Sequence, residues 1–260
     1  MKISFSKYQG TGNDFVMLDN LNGQYNTLSI EMIQKICARH FGVGADGLIK
    51  INTSSLADFE VDYYNSDGSK SFCGNGARCS VAFAETLGVN IENASFIAID
   101  GLHKAVKKEG VIALEMNDVS EIQVRGDDFI IHTGSPHYIK FTSDISLFDI
   151  VAYGKEIRYS QEFIKEGINV NLVEVINTNQ LVVSTYERGV ENETLSCGTG
   201  VTASVLAYAY QEKKLGDHSV DVKVKGGELK VSFTQVSQGV FNNIQLIGPG
   251  EFVYRGEMDV

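Results

Sequence analysis

Two stretches of the chain, Cys73-Gly-Asn-Gly-Ala-Arg-Cys-Ser-Val-Ala-Phe83 and Cys197-Gly-Thr-Gly-Val-Thr-Ala-Ser-Val-Leu-Ala207, follow one pattern. They agree at the cysteine, at both glycines, at the serine and at the valine after it. Each runs from a polar segment into an apolar one with helical spacing, which predicts a helix that begins at the cysteine. The N-terminus of a helix presents unpaired N–H groups and a partial positive charge, so it favours a thiolate and binds carboxylates. The repeat therefore predicts two related halves, each with a thiol at the start of a helix.

Short strands and helices are predicted to alternate around each repeat, at turns marked by Gly, Asn and Asp. In the first half the predicted strands are 2–8, 14–19, 48–51, 58–64, 95–99, 103–107 and 111–116, and the predicted helices run from Ser29 to about His40 and from Cys73 to Gly88. In the second half the predicted strands are 121–124, 129–132, one after the loop 133–137, 170–176, 181–186, 220–224, 229–233 and two around Gly248-Pro249-Gly250, and the predicted helices lie near 144–153 and from Cys197 to about Leu215. The period is too long for a solenoid, so the pattern indicates duplication of a domain.

The boundary between the two domains carries no proline-rich or serine-rich linker, and we place it near residues 117–119. This gives an N-terminal domain at 1–117 and a C-terminal domain at 118–248. We assign the last strand, within 249–260, to the N-terminal domain.

The composition is that of an acidic globular protein. The chain of 260 residues is 43% hydrophobic and 21% charged, with a formal net charge of −11. This hydrophobic content suffices for buried cores, whereas the negative charge argues against nucleic-acid binding, which requires a basic surface. No apolar stretch approaches the ~20 residues that span a bilayer, and the start of the chain lacks the apolar core of a signal peptide. We expect a cytoplasmic protein that binds neither nucleic acid nor membranes.

Four cysteines in a chain of this length do not make a disulfide framework. No CxxC pair occurs, and the spacing of Cys73 and Cys79 fits no common zinc site, so no metal is expected. Cys37 lies on the buried stripe of a predicted helix, and Cys79 has Ala203 as its counterpart in the second repeat. We interpret both as small core residues, which leaves Cys73 and Cys197 as the chemical candidates.

Each candidate cysteine is followed by Gly-Xaa-Gly, whose small residues let backbone N–H groups approach an anion closely. One copy alone would favour a tight turn, but two copies, each led by a cysteine, favour a functional site. A phosphate-binding loop is the rival interpretation. Neither cysteine motif continues to the third glycine of Gly-Xaa-Gly-Xaa-Xaa-Gly, and no Gly-Lys-Ser/Thr ending occurs, so nucleotide binding is not expected.

Two thiols, each beside an anion-binding loop, suit a two-base proton transfer at a carbon next to a carboxylate. One thiolate removes the proton from one face of the carbon, and the other thiol delivers a proton to the opposite face. Donors around the carboxylate stabilise the enolate-like charge that develops, and the helix N-termini favour the thiolate. Opposite protonation of the twin thiols is expected when they titrate as a coupled pair.

Six motifs, in this order, resemble those of the diaminopimelate epimerases. They are Gly10-Thr11-Gly12-Asn13-Asp14-Phe15-Val16, Asn65-Ser66-Asp67-Gly68-Ser69, Cys73-Gly74-Asn75-Gly76-Ala77-Arg78-Cys79, Pro136-His137, Glu187-Arg188-Gly189 and Cys197-Gly198-Thr199-Gly200. The resemblance implies a cofactor-independent epimerase that interconverts LL- and meso-diaminopimelate in lysine and peptidoglycan synthesis. It also implies an α/β (α+β) fold of two similar, pseudo-twofold-related domains. Each would be a mostly antiparallel or mixed sheet wrapped around a central helix, with the site in the cleft between them.

Carried over position by position, the resemblance makes Cys73 and Cys197 the acid/base pair. His137 and Glu187 would tune the pKa values of these thiols. The side chains implied to hold the substrate's polar groups are Asn13, Asn65, Asn169, Glu187 and Arg188. The donors implied for the carboxylate at the reacting carbon are Gly74 and Asn75 in the first half, with Gly198 and Thr199 in the second. No cofactor is implied, and because family members often pair, a homodimer is the expected assembly.

Several of these residues have a plainer interpretation. Taken alone, Asn65 and His137 would be read as polar residues of turns, and Arg188 as one partner of a surface ion pair. Two positions also depart from the family pattern. Ser135 stands where asparagine commonly precedes Pro-His, so the grip on the distal end of the substrate is expected to differ. Gly47 stands where many members have glutamine, which is expected to remove a side chain from the rim of the site.

These departures keep a related amino-acid racemase with another substrate as the second candidate. A third candidate is a thiol-redox protein in which Cys73 and Cys197 form a reversible disulfide. A binding module that only holds a zwitterion is the fourth. Neither of the last two needs two cradled thiols, so the duplicated motif favours epimerisation.

Overall fold

The computed structural model describes residues 1–213 and 215–260. Within these residues the chain forms mainly β-strands, together with four α-helices and one short 3₁₀-helix. No helix in this part of the chain is long and apolar enough to cross a bilayer.

Contacts between residues divide the chain into two compact units. The first unit comprises Met1–Leu114 with Gly248–Val260, and the second comprises Glu115–Ile247. The boundary predicted from the sequence lies at 117–119, and the last strand is predicted to belong to the first half. That the two units are separate domains stays a prediction.

The first unit is built from eight strands and two helices, all in the order predicted from the sequence. They are β1 (Lys2–Gly10), β2 (Asn13–Asp19), α1 (Ile30–Cys37), β3 (Gly47–Asn52), β4 (Phe59–Asn65), α2 (Gly74–Thr86), β5 (Ala94–Ala98), β6 (Gly101–Lys108), β7 (Val111–Glu115) and, from the end of the chain, β17 (Glu251–Asp259). The Ser29 side chain accepts from the N–H of Met32 and caps α1, as expected of serine before an apolar helix.

The second unit holds the other nine strands and two α-helices. They are β8 (Ile122–Arg125), β9 (Asp128–His132), β10 (Pro136–Thr142), a 3₁₀-helix (Ile145–Leu147), α3 (Ile150–Arg158), β11 (Asn169–Asn177), β12 (Gln180–Glu187), β13 (Asn192–Thr194), α4 (Gly198–Glu212), β14 (Gly216–Val224), β15 (Gly227–Ser237) and β16 (Val240–Gly248).

The two units repeat one sequence of strand pairings. In the first, β1–β2 is antiparallel, β2–β3 parallel, β3–β4 antiparallel, β4–β5 parallel, and β5–β6 and β6–β7 antiparallel. In the second, the same senses follow in the same order through β9–β10, β10–β11, β11–β12, β12–β14, β14–β15 and β15–β16. The parallel pairs are joined through α1 and α2 in the first unit and through α3 and α4 in the second, because parallel neighbours need a crossover. The predicted duplication is confirmed.

A central helix carries the cysteine motif in each unit. Ten of the thirteen residues of α2 and eleven of the fifteen of α4 are buried. A helix buried on all sides lies inside its unit rather than on the surface, and α2 contacts β1 to β4 whereas α4 contacts β9 to β12. Ser80 and Ser204 donate to the carbonyls of Gly76 and Gly200, so these buried hydroxyls stay satisfied. The predicted arrangement of a sheet around a helix is confirmed.

Three helix predictions need correction. The first helix ends at Cys37 rather than near His40 because Ala38 is extended. The helix predicted near 144–153 lies at Ile150–Arg158, since Asp149 caps it by accepting from the N–H groups of Val151 and Ala152. The last helix ends at Glu212, where Lys213 adopts φ +53° and closes it. The prediction to Leu215 includes Lys214, which lies outside the described residues.

Two strand predictions also change. The polar loop predicted at 133–137 is shorter, because Pro136 and His137 already belong to β10. The short strand β13 was not predicted. It pairs with β12 through the turn that follows Glu187, in a segment whose charged residues carry no strand pattern.

Candidate active site

The first candidate thiol lies at the start of α2. Cys73 is the N-cap residue with an extended backbone, and its Sγ accepts from the N–H of Gly76 at 3.5 Å. The side chain is half-buried. Because the N-cap position is where the unpaired N–H groups of a helix point, the predicted location of this thiol at a helix N-terminus is confirmed.

Asn13 is a second neighbour of the Cys73 thiol. The Cys73 Sγ lies 3.4 Å from Asn13 Oδ1, which also accepts from Asn75 Nδ2 at 3.3 Å. Asn13 Nδ2 donates to Asp46 Oδ2 at 2.6 Å. A carboxylate only accepts hydrogen bonds, so Asp46 fixes the orientation of the Asn13 amide and directs its carbonyl oxygen at the sulfur.

A cluster of charges supports Asp46 from behind. Arg39 donates to both Asp14 (2.9 Å) and Asp46 (2.6 Å), and the buried Lys7 lies 2.7 Å from Asp14. Burial raises the pKa of Asp14, but the hydrogen bonds from Arg39 and Lys7 outweigh it and hold that pKa below its usual value. Asp14 therefore stays ionised at neutral pH and acts as a fixed acceptor beside Asp46.

Arg78 is fully buried in α2 and anchors the second polar residue of the motif. Its Nη2 donates to Asn75 Oδ1 at 2.9 Å, and its Nε donates to the Pro249 carbonyl at 3.2 Å. Burial lowers the pKa of the guanidinium, while Cys79 and Cys73 oppose that shift. Arg78 thus turns the amide of Asn75 so that Nδ2 faces Asn13.

The second candidate thiol lies at the start of α4. Cys197 is the N-cap residue, its backbone is extended, and 7% of the residue is exposed. Its Sγ lies 3.6 Å from Thr199 Oγ1. The second predicted thiol position is therefore confirmed, and a hydroxyl stands beside this sulfur where Cys73 has an amide oxygen.

Behind Thr199 runs a chain of buried polar side chains. His137 Nε2 lies 2.9 Å from Thr199 Oγ1, and His137 Nδ1 lies 3.1 Å from Asn171 Nδ2. Thr185 donates to Asn171 Oδ1 at 2.9 Å. His137 has no exposed surface, and burial lowers its pKa to about 3. The imidazole is therefore neutral at physiological pH.

Asn169 connects a second group of predicted residues to this chain. Its Nδ2 donates to Ser135 Oγ at 2.9 Å, and its Oδ1 accepts from the backbone N–H of Arg188 at 2.9 Å. Ser135 Oγ lies 3.0 Å from His137 Nε2 and 3.3 Å from Thr199 Oγ1. The guanidinium of Arg188 donates to the Glu166 carbonyl at 2.8 Å. Within residues 1–213 and 215–260, Arg188 does not form the surface ion pair that was its plainer interpretation.

Glu187 ends β12 and is half-buried. Gly74 and Gly198 are the first residues of α2 and α4, and both are buried. Their backbone N–H groups thus lie at the helix N-termini, where the sequence analysis required them.

Asn65 and Gly47 both lie next to Tyr63. Asn65 uses its amide within its own loop, donating to Ser69 and Ser71 and accepting from the hydroxyl of Tyr63 at 2.8 Å. Gly47 is buried in β3, and a Cβ there would lie 2.4 Å from the Tyr63 ring. It is therefore not a rim position in this chain, and Tyr63 fills the space that a side chain would need.

The remaining cysteines are core residues. Cys37 and Cys79 are 2% and 0% exposed. Burial raises the pKa of Cys37 to about 12 and raises that of Cys79 further. Their interpretation as small core residues is confirmed. In the described ranges no group of three or more His, Cys, Asp or Glu residues is arranged to hold a metal ion.

The comparisons with known proteins point to one family. The sequence model of the family described as diaminopimelate epimerase matches residues 5–125 and 129–248. The chain belongs to the diaminopimelate epimerase family. The diaminopimelate epimerase of Flavobacterium psychrophilum is 46% identical over 250 residues, which cover 95% of this chain and 97% of that protein. The diaminopimelate epimerase of Chlorobaculum tepidum is 38% identical over 257 residues and covers 95% of this chain and 98% of its own.

Solved structures extend the likeness of the fold beyond diaminopimelate epimerases. A Bacillus anthracis phenazine biosynthesis protein of the PhzF family superposes with a TM-score of 0.80 at 14% identity, covering 100% of both chains. A hydroxyproline epimerase from Agrobacterium vitis superposes with a TM-score of 0.68 at 12% identity, covering 99% of this chain and 92% of that one. At such low identity these similarities establish the fold alone.

The polar networks contain five residues that were not predicted from the sequence: Lys7, Arg39, Asp46, Asn171 and Thr185. Asn171 carried a usable signal. Asn169 and Asn171 occupy alternate positions of a strand in which Val170, Leu172 and Val173 are apolar, so both face the same side. A pair of amides on one face of a buried strand indicates a polar network behind a site. Asp46 and Thr185 carried no comparable signal.

Proposed function

We propose that this protein epimerises LL-diaminopimelate to meso-diaminopimelate, without a cofactor, by proton transfer between two cysteines. The observation that carries the proposal is the duplicated motif, which puts Cys73 and Cys197 at the N-termini of the two central helices. Membership of the family and 46% identity to a diaminopimelate epimerase support the choice of substrate. The reaction makes the protein an isomerase of lysine and peptidoglycan biosynthesis.

In the proposed reaction, one cysteine removes the α-proton as a thiolate while the other, as a thiol, protonates the opposite face. The α-proton of an amino acid is weakly acidic, so the enolate-like charge that develops on the carboxylate must be stabilised. Backbone N–H groups of Gly74 and Gly198, at the starts of α2 and α4, supply donors of the required kind. The two thiols exchange roles for the reverse reaction, as expected for an epimerase that works in both directions.

Side chains next to these thiols would bind the polar groups of the substrate. Asn13 and Asn75 lie within hydrogen-bonding distance of each other beside Cys73, and Thr199 lies beside Cys197. We assign Asn65, Asn169, Glu187 and Arg188 to the amino and carboxylate groups, on the strength of the family resemblance. Asn65 must then exchange one of its loop hydrogen bonds for the substrate. We further propose that the enzyme acts in the cytoplasm and forms a homodimer.

The experiment is the conversion of LL-diaminopimelate to the meso isomer by the purified protein, followed by chiral chromatography. Cys73→Ala and Cys197→Ala should each abolish conversion, because each removes one of two required proton carriers. The matched control is Cys37→Ala, a buried cysteine outside the motifs, which should keep conversion close to the unmodified rate. Conversion of another amino acid in place of diaminopimelate would support the related racemase instead. Conversion that survives either motif substitution would contradict the two-base reaction.

A further inference from the structure

The orientation of the Asn171 amide is determined by its neighbours. Its Nδ2 lies 3.1 Å from the Tyr138 carbonyl oxygen, which can only accept a hydrogen bond. The atom facing Tyr138 is therefore the nitrogen, and the hydroxyl of Thr185 donates to the other end. The second hydrogen on Nδ2 points at His137 Nδ1, 3.1 Å away.

This orientation determines which nitrogen of His137 carries the proton. Since Asn171 donates to Nδ1, Nδ1 must be the acceptor, and in a neutral imidazole the proton then resides on Nε2. The charged or titratable groups that act on His137 are His132 from β9 and Arg188 from the turn after β12. Cys197 lies on the far side of Thr199, at the start of α4. His132 and Arg188 disfavour a second proton on the ring, as burial does.

The proton on Nε2 in turn orients the hydroxyl of Thr199. The Nε2–H group donates to Thr199 Oγ1 at 2.9 Å. A hydroxyl that accepts at its oxygen still has its own hydrogen to donate, and Cys197 Sγ lies 3.6 Å from it. Ser135 Oγ lies 3.3 Å from Thr199 Oγ1 and 3.0 Å from His137 Nε2, and it accepts from Asn169. Its own hydrogen can be donated to Thr199 Oγ1. In this arrangement Thr199 Oγ1 accepts from both neighbours, and its own hydrogen points at the sulfur.

The other unit lacks this chain at the equivalent positions. Strand register aligns His137, Asn171 and Thr185 with Phe15, Ile49 and Tyr63. The close neighbours of the equivalent helix glycines agree with this alignment. A Cβ on Gly200 would meet Asn171, His137 and Thr185, whereas a Cβ on Gly76 would meet Ile49, Phe15 and Cys73. Polar side chains therefore stand behind Cys197 where mainly apolar ones stand behind Cys73.

We propose that Asn171 is a positioning residue that holds His137 in its Nε2–H form, and that His137 thereby directs the Thr199 hydroxyl hydrogen at Cys197 and favours its thiolate. A hydrogen bond donated to the charged form of a group stabilises that form. His137 acts here as a fixed neutral donor and carries no proton to or from substrate. The inference rests on the proposed role of Cys197 as one of the two bases.

The test measures the ionisation of Cys197 directly, without diaminopimelate. In a Cys73→Ala background, which removes the charge of the twin thiol, the rate of alkylation of Cys197 by iodoacetamide is followed against pH by peptide mass spectrometry. Asn171→Ile, which introduces the residue found at the equivalent Ile49, should move the midpoint upward by about 1 pH unit, or roughly tenfold in thiolate population. Thr199→Val should move it by a similar amount, and Thr199→Ser should restore it.

Combining the two substitutions tests whether Asn171 acts on Cys197 through Thr199. Once Thr199→Val has removed the hydroxyl, adding Asn171→Ile should cause no further shift, because the two act through one hydrogen bond. Ser204→Ala, which removes another buried hydroxyl from α4, is the matched control and should leave the midpoint unchanged. Full additivity of the two substitutions, or no shift with Thr199→Val, would overturn the proposal. Thr199→Val changes a half-exposed side chain, so it tests the relay even if Asn171→Ile fails to fold.

A second measurement on the unsubstituted protein reads the tautomer itself. Nitrogen-15 NMR of labelled histidine should show protonated Nε2 and unprotonated Nδ1 for His137 at neutral pH. The opposite tautomer would overturn the proposal. Because neither readout depends on turnover, a protein that shows the relay but does not convert diaminopimelate would refute the proposed function alone.

Discussion

Replacing Gly200 by alanine adds one methyl group at the point where α4 approaches the polar chain behind Cys197. The new Cβ would lie 2.5 Å from Asn171 Oδ1 and 3.2 Å from both His137 Cε1 and Thr185 Oγ1. None of the three can give way cheaply, because each is buried and hydrogen-bonded. The equivalent methyl on Gly76 would meet Ile49 Cδ1 at 3.1 Å and Phe15 Cε1 at 3.4 Å. These are ends of apolar side chains with no hydrogen bond to lose.

The expected cost of Gly200→Ala follows from three contributions. Overpacking a buried site costs about 1–3 kcal/mol, and a broken buried hydrogen bond adds about 1 kcal/mol or more. Alanine in a helix regains about 1 kcal/mol over glycine. The sum is a loss of about 2 kcal/mol in the free energy of unfolding. For Gly76→Ala the overpacking is smaller and nearly cancels the gain in helix propensity, so its change should stay within about 1 kcal/mol.

The assay is urea-induced unfolding of both variants and the unmodified protein, followed by far-ultraviolet circular dichroism. Gly200→Ala should lower the unfolding midpoint clearly, and Gly76→Ala should lower it little. In thermal unfolding a difference of about 2 kcal/mol corresponds to roughly 4–8 °C for domains of this size. An equal or larger loss with Gly76→Ala would refute the claim that the two helices pack against chemically different surroundings.

Two further predictions concern buried and fixed polar groups. The folded state lowers the pKa of His137 to about 3, so the unfolded chain binds an extra proton between roughly pH 6.5 and 3. Stability should therefore fall as pH falls through this range, by up to ~1.4 kcal/mol per unit. His137→Phe should flatten that slope in urea titrations repeated at several pH values, and an unchanged slope would contradict the assignment. Asp46→Asn should reduce kcat/KM about tenfold by freeing the Asn13 amide to rotate. The control is Asp62→Asn, which removes a carboxylate on β4 that pairs with two lysines. An equal loss of kcat/KM in both variants would count against this role of Asp46.

The duplication could be predicted from the sequence because residues close together in the chain determine it. Cysteine followed by Gly-Xaa-Gly and an apolar helical run is a short-range signal, and both helices begin where this signal starts. Helix ends were less predictable. Asp149 and Lys213 set the limits of α3 and α4 through one side-chain cap and one left-handed residue, and many residues can play such parts.

The surroundings of the thiols could not be predicted in full, because they depend on pairings between distant strands. His137 reads as a turn residue in the sequence, yet β10 begins one residue before it and buries the imidazole. Asn171 faces His137 only because β10 and β11 run in parallel with His137 opposite Asn169. Asp46 acts on Asn13 across 33 residues of sequence. Such contacts follow from register, which local spacing does not determine.

The central claim is that two different groups remove and return the α-proton, and the fate of that proton tests it most directly. LL-Diaminopimelate is incubated with the enzyme in deuterated water. During the first few per cent of conversion the two isomers are separated, and the deuterium content of each is measured by mass spectrometry. The two-cysteine account predicts that nearly every meso molecule carries one deuterium at the inverted carbon, while the recovered LL isomer carries almost none. Meso product that retains the hydrogen of the substrate, or LL substrate that gains deuterium as fast as product forms, would contradict it.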